Sequence, residues 1–139
     1  MKRYPIPAVG AVVKRGDSML LVRRGKEPSK GMWSIPGGGV RFGETLHQAL
    51  KREVREETNI DVEITELVGV FDHIIKDGEG TLHHYVLIDY LAEPLNFDVE
   101  AGSDAMEAKW VPFKDLKDFE LTEPLRELLS ALFPKFSGM

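Results

Sequence analysis

The stretch TLHQALKREVREET, Thr45 to Thr58, constrains the fold more than any other part of this chain. Its apolar residues recur at helical spacing. With Glu53 at zero and steps of about 100°, Leu46, Ala49 and Leu50 fall near 20°, 320° and 60°, which marks one face for burial. On the same approximate wheel Glu57 falls near 40° and Glu56 near 300°, so the acids continue the apolar stripe, whereas Lys51 and Arg55 lie away from it. A helix C-terminus carries the negative end of the backbone dipole, which makes this a poor place to collect carboxylates without a reason.

Magnitudes suggest the reason. An exposed like-charge pair one turn apart costs a few tenths of a kcal/mol. Two carboxylates about 5–6 Å apart in a half-buried cleft repel by roughly 3 kcal/mol at an effective dielectric of about 20. Three such groups must take up protons or hold cations. The chain has no cysteine, so the ligands are hard oxygens, which favour Mg²⁺ or Mn²⁺, with Ca²⁺ as a non-catalytic substitute. Upstream, Pro36 to Gly39 (PGGG) permit close backbone approaches that side chains would block, so a carbonyl near Gly38 can join a metal's shell. Glu44 lies between this turn and the helix, where an acid suits the positive end of the dipole. The fork of Arg52 can pair with Glu56 one turn on or hold a ligand carboxylate in a fixed direction.

The rest of the chain frames that helix. Ile6 to Val13 and Met19 to Val22 read as strands joined through Gly16 and Asp17, GKEPSKGMW as a loop, and SIPGGGV as a short strand running into a turn. VEITELVGVFDHIIK and TLHHYVLIDYLAE read as long strands around DGEG, and AKWVPF as a short last strand. Thr122 and Pro124 open a final helix with Leu125, Leu128, Leu129, Leu132 and Phe133 on one face. Strands, helix, strands, helix in that order predict a single α/β domain over residues 1–139, a mixed sheet covered by helices. With 139 residues and 42% hydrophobic content the chain can bury a core, and a net charge of −5 is no footprint for nucleic acid. Pro5, Pro7 and Lys14 interrupt any signal-peptide core and no later apolar run reaches membrane length, so a cytoplasmic protein with no membrane partner is expected.

The segment GGVRFGETLHQALKREVREETNI resembles the Nudix box, G-x5-E-x7-R-E-U-x-E-E-x-G-U, where U is a bulky aliphatic residue. Gly38, Glu44, Arg52, Glu53, Val54, Glu56, Glu57 and Ile60 match, over a box spanning residues 38–60. Asn59 stands where the family has glycine; asparagine is the next-best residue for a left-handed cap. VRRGKEPSKGMWSIPGG and SDAMEAKWVPFKDL also resemble flanking family segments. The resemblance implies an α/β/α sandwich with the catalytic helix on one side of the mixed sheet and the C-terminal helix also packed on it. It implies metal-dependent hydrolysis of a nucleoside diphosphate linked to another moiety. By the same resemblance Glu53 and Glu57 are metal ligands with Glu56 assisting, the Gly38 region supplies a carbonyl, Arg52 orients the acids and Glu44 supports the site.

Asp104, before the last strand, is the candidate for a further acid, with Glu107 and Glu100 as alternatives; the general base stays open between Glu53, Glu56 and this loop. For substrate, Arg23 and Arg24 are candidates, but neighbours on a strand point to opposite faces, so at most one is expected to reach phosphates. Trp33, Phe71 and Tyr85 could face the nucleotide or pack in the core, and Trp110 is expected in the core. His83 and His84 cannot chelate one metal together. The flanks look most like small prokaryotic members acting on ADP-ribose, so ADP-ribose or a related nucleotide sugar is the first expectation. Nucleoside triphosphate pyrophosphohydrolysis is the second, and a non-catalytic nucleotide-sugar sensor the third. A homodimer is common among similar proteins.

Overall fold

The computed structural model describes residues 3–78 and 80–133. Its elements follow the order β1 (Ile6–Arg15), β2 (Ser18–Arg24), β3 (Trp33–Ser34), β4 (Gly37–Gly39), α1 (Leu46–Thr58), β5 (Val62–Asp77), β6 (Gly80–Pro94) and β7 (Ala105–Pro112). A 3₁₀ segment (Phe113–Asp118) and α2 (Glu123–Leu132) close the described chain.

The sheet is mixed. β1 runs parallel to β6 from Ile6↔Tyr85 to Val13↔Ala92 and antiparallel to β4, where Val9 faces Gly38. β5 and β6 form a long antiparallel hairpin at one edge; at the other, β2 lies between β3 and β7. Alternation along the strands sends side chains to two cores. Val9, Ala11, Val13 and Leu20 pack with Ala49, Leu50 and Val54 of α1. Val12, Met19 and Leu21 pack with Leu125, Leu128 and Leu129 of α2. The sheet therefore lies between the two helices, the expected α/β/α sandwich. Each fully buried Leu or Val contributes roughly 1.5–3 kcal/mol, which holds α1 against the sheet and fixes which way its acids turn.

Both ends of α1 are capped. Thr45 accepts from the Gln48 amide and the Gln48 side chain accepts from the Thr45 amide, a reciprocal capping box. At the other end Asn59 adopts the left-handed conformation (φ 65°, ψ 14°) and its amide donates to Arg55 O, so asparagine does serve where glycine would be usual. The SIPGGGV segment differs from expectation: it forms two short strands, β3 and β4, paired to β2 and β1 respectively. Isolated sequence cannot show that the chain changes partner at Ile35 and Pro36. Gly37 is obligatory there, because a Cβ would fall 2.0 Å from Val9 O.

Candidate active site

Three segments converge on the C-terminal half of α1. The first is β4, which lies against it so closely that a Cβ on Gly38 would meet the Glu53 carboxylate at 2.6 Å. The second is Glu44, just before the helix. The third is the loop leading into β7, whose Glu100 and Gly102 amides donate to Thr58 O and Glu57 O. These donors satisfy helix-end carbonyls that would otherwise face the acids, and so relieve the unfavourable end of the dipole.

Arg52 organises the cluster. Its Nε donates to Glu44 Oε2 at 2.7 Å and its Nη2 to Glu44 Oε1 at 2.9 Å, a two-pronged pairing. Nη1 donates to Glu53 Oε1 at 2.8 Å and more loosely to Glu56 Oε2 at 3.4 Å, while Nη2 also reaches Gly39 O at 3.1 Å. One guanidinium thus ties β4, the segment before α1 and two of its acids. Hydrogen bonding from Arg52 and from the Arg41 amide holds the Glu44 carboxyl down to about 2. The same hydrogen bond to Glu44 pushes Arg52 up, so it stays charged. Arg52 does pair with Glu56 one turn on and also holds Glu53, but the bond to Glu44 is the dominant one.

Glu57 is the opposite case. Its carboxylate accepts from the Gly37 amide at 2.8 Å, yet burial pushes it up to about 8. The Gly37 bond and Arg24 act against that rise, and Glu53 and Asp104 reinforce it. A carboxyl so placed is held in its charged form only by added positive charge. Among the described residues no three of His, Asp and Glu already converge as a finished metal cage. The donor chemistry nevertheless suits a hard divalent cation: carboxylates turned inward, one of them penalised when charged, beside a glycine backbone that admits close approach.

These groups border a cavity of about 660 Å³, a size suited to a small-molecule ligand. Gly38, Arg52, Glu53, Glu56, Glu57 and Asp104 line its acidic side, and Asp104 is paired with Lys26 at 2.9 Å. Arg23 and Arg24 both line the cavity, although strict alternation would send them to opposite faces. The β2–β7 register shifts between these two residues, which breaks strict alternation. Arg23 is anchored by Gly31 O and Glu107, and Arg24 by Pro28 O.

Other candidates lie elsewhere. Trp33 is 8% exposed, edge-on to Phe119 in the α2-side core, with Lys109 over its ring. Phe71 packs against that same core from β5, and Trp110 packs against the α1-side core. Glu107 is taken up by Arg23, and Glu100 caps α1 through its amide; neither lines the cavity. His83 and His84 do diverge: His83 stacks on Tyr85 and His84 contacts Asp72. Tyr85 does line the cavity, together with His73.

Two buried polar residues of the lining escaped sequence reading. Asp89 of β6 is 6% exposed, and Thr122 at the start of α2 is 4% exposed. The available signal was a single acid at an inward position of an otherwise apolar strand, YVLIDYL. Thr122 was visible only as a helix start.

The NUDIX domain family matches residues 4–132. An ADP-ribose pyrophosphatase of Methanocaldococcus jannaschii is 32% identical over 113 residues, covering 81% of this chain; the chain spans 65% of that protein's length. A MutT NUDIX hydrolase from Burkholderia pseudomallei superposes with a TM-score of 0.82 at 30% identity, covering 94% of this chain and 99% of that one. A bifunctional NMN adenylyltransferase/ADP ribose pyrophosphatase from Francisella tularensis, complexed with AMP and a Mn ion, superposes with a TM-score of 0.76 at 25% identity, over 96% of this chain and 42% of that one. The family match takes in the acidic helix, the glycine strand and both sides of the cavity, so the chain belongs to the Nudix family and is a Nudix hydrolase.

Proposed function

We propose that this chain hydrolyses the diphosphate of a nucleoside diphosphate joined to a second moiety, with ADP-ribose or a related nucleotide sugar as substrate and Mg²⁺ or Mn²⁺ as cofactor. The observation that carries the reading is the Arg52-ordered acid cluster in a cavity that is also lined by Ile35, Leu87, Leu125 and Leu128. A diphosphate needs the first and a nucleoside the second.

Glu53, Glu56 and Glu57, with a carbonyl from the Gly38 region, would hold the metal. Bound there, it would neutralise the diphosphate and lower the pKa of an attacking water. Arg52 keeps Glu53 and Glu56 in place, and Glu44 keeps Arg52 in place; both act by positioning. Arg23 and Arg24 present guanidinium groups to phosphate oxygens at the same cavity. Asp104 lines the same cavity as Glu57 and is the loop acid available to move a proton, with Glu53 and Glu56 as the other candidates for the base. Names among the relatives support ADP-ribose in particular.

The test is incubation with ADP-ribose, nucleoside triphosphates and dinucleoside polyphosphates, each with and without Mg²⁺. AMP and ribose phosphate are expected from ADP-ribose. Pyrophosphate release from triphosphates as the dominant reaction would replace this reading with pool sanitation. Ligand-induced stabilisation without any turnover would replace it with a sensor.

A further inference from the structure

The cavity is lined by two polar side chains, Asp89 and Thr122, that have no hydrogen-bond partner among the described residues; only Thr122 Oγ1 is sealed from solvent, while the Asp89 carboxyl opens onto the cavity. Asp89 is 6% exposed, and its carboxyl has no hydrogen-bond or ion-pair partner among the described residues. Thr122 Oγ1 is buried and likewise without a partner among them, and does not cap the helix it starts. Both line the same cavity, from β6 and from the residue before α2. Buried polar groups are nearly always satisfied, so the orphaned Thr122 Oγ1, beside an unpartnered carboxyl that faces the same cavity, points to a ligand that bonds to both.

The surroundings define that ligand. Ile35, Leu87, Leu125 and Leu128 give apolar walls, and Tyr85 and His73 stand 6.3 Å apart with rings only 21° from parallel, a surface for a flat ring. The chain leaves room for the carboxyl: a Cβ on Gly10 would fall 2.5 Å from Asp89 Oδ1. Among the described residues no cation pairs with Asp89, and burial pushes its carboxyl up to about 7. Its uncharged form offers one O–H donor and one carbonyl acceptor side by side.

We propose that Asp89 and Thr122 determine base specificity, and that Asp89 selects a base edge with an amino donor beside a ring-nitrogen acceptor, as on adenine. This rests on the reading of the cavity as the substrate site of a nucleoside diphosphate hydrolase. A guanine edge, with two adjacent donors, would instead pair with the ionised carboxylate, the form that burial disfavours.

The experiment compares ADP-ribose with its counterparts carrying unsubstituted purine and guanine, in wild type, Asp89→Leu, Asp89→Asn and Thr122→Val, with Mg²⁺. Calorimetry of AMP against purine ribonucleoside monophosphate, without metal, runs alongside. Wild type is expected to prefer adenine over purine by about tenfold, roughly one or two neutral hydrogen bonds. Asp89→Leu should raise KM and erase the preference with kcat nearly unchanged, and its Tm should equal or exceed wild type. Asp89→Asn should keep the preference, since an amide offers the same donor and acceptor. Thr122→Val should raise KM without unfolding the protein.

An adenine preference that survives in Asp89→Leu overturns the proposal. So does Asp89→Asn losing discrimination as fully as Asp89→Leu. Wild type that turns over no diphosphate, yet binds AMP in a way Asp89→Leu abolishes, would sink the diphosphatase reading and leave the base site standing. Normal turnover with base discrimination indifferent to Asp89 would do the reverse.

Discussion

Glu57 makes a stability prediction that can be separated from its chemistry. In metal-free protein its carboxyl sits at about 8, chiefly through burial, against an ordinary value of 4.5. Below 4.5 the group is protonated folded or unfolded, and its titration adds no penalty. As pH rises above 4.5 the unfolded chain releases the proton while the folded protein retains it, so folding becomes less favourable by about 1.4 kcal/mol per pH unit. The loss levels off above pH 8, where both states are ionised. At pH 7 the penalty is about 3 kcal/mol. Glu57→Gln keeps the shape and the acceptor for the Gly37 amide but cannot ionise. Urea unfolding in EDTA from pH 4.5 to 9 should show the variant gaining on wild type through that window, by about 3 kcal/mol at pH 7 if the whole shift is expressed. The difference between the two curves separates Glu57 and the acids that act on it, Glu53 and Asp104, from Asp89 and the distant acids. Adding Mg²⁺ should stabilise wild type far more than the variant, since only wild type offers the charged ligand. A flat difference curve, with Mg²⁺ acting equally on both, would refute the argument.

The same variant should lose activity by orders of magnitude while remaining folded, measured as kcat on ADP-ribose. Gly38→Ala places a methyl 2.6 Å from the Glu53 carboxylate, so kcat should fall sharply while Tm moves by only a few degrees; unchanged kcat would show that Glu53 can shift freely. Arg52→Lys cannot reach Glu44, Glu53 and Gly39 at once, so it should cost at least about tenfold in kcat/KM despite retaining the charge. Asn59→Gly should change stability by under about 0.5 kcal/mol, whereas Asn59→Val, forced to positive φ, should cost about 1–2 kcal/mol by chemical denaturation.

What the sequence revealed and what it hid divide along a physical line. The helix period of α1, its capping box, the left-handed Asn59 and the inward acids are set by residues within a few positions of each other, and all can be read locally. The two-core arrangement follows from alternation along β1 and β2. What stayed hidden depends on pairings between distant segments. Whether Arg23 and Arg24 share a cavity is decided by a register shift against β7, more than 80 residues away in the case of Glu107. Whether Trp33 meets substrate or core is decided by Phe119 and Lys109. Asp89 looked like an interruption in a strand, because its meaning depends on Gly10 beside it and on Thr122, which precedes α2, in the same cavity.

Glu57 and Asp89 together explain why this cavity is shaped as it is. Both are carboxyls raised by burial, to about 8 and about 7, and each would be less costly to the fold as an apolar residue of similar size. They differ in what can relieve them. Glu57 has like charge nearby from Glu53 and Asp104, which only a cation offsets. Asp89 has no charged partner among the described residues, and a neutral hydrogen-bonding ligand suffices. A molecule that satisfies both at once must carry a metal-bound anion at one end and a polar-edged planar ring at the other. Replacing both, Glu57→Gln with Asp89→Leu, should therefore give a protein more stable than wild type and nearly inert, with stability gains that add, since burial is the chief cause of the rise at each carboxyl. A double variant less stable than wild type in EDTA would mean that these carboxyls support the fold, and that their burial owes nothing to a ligand.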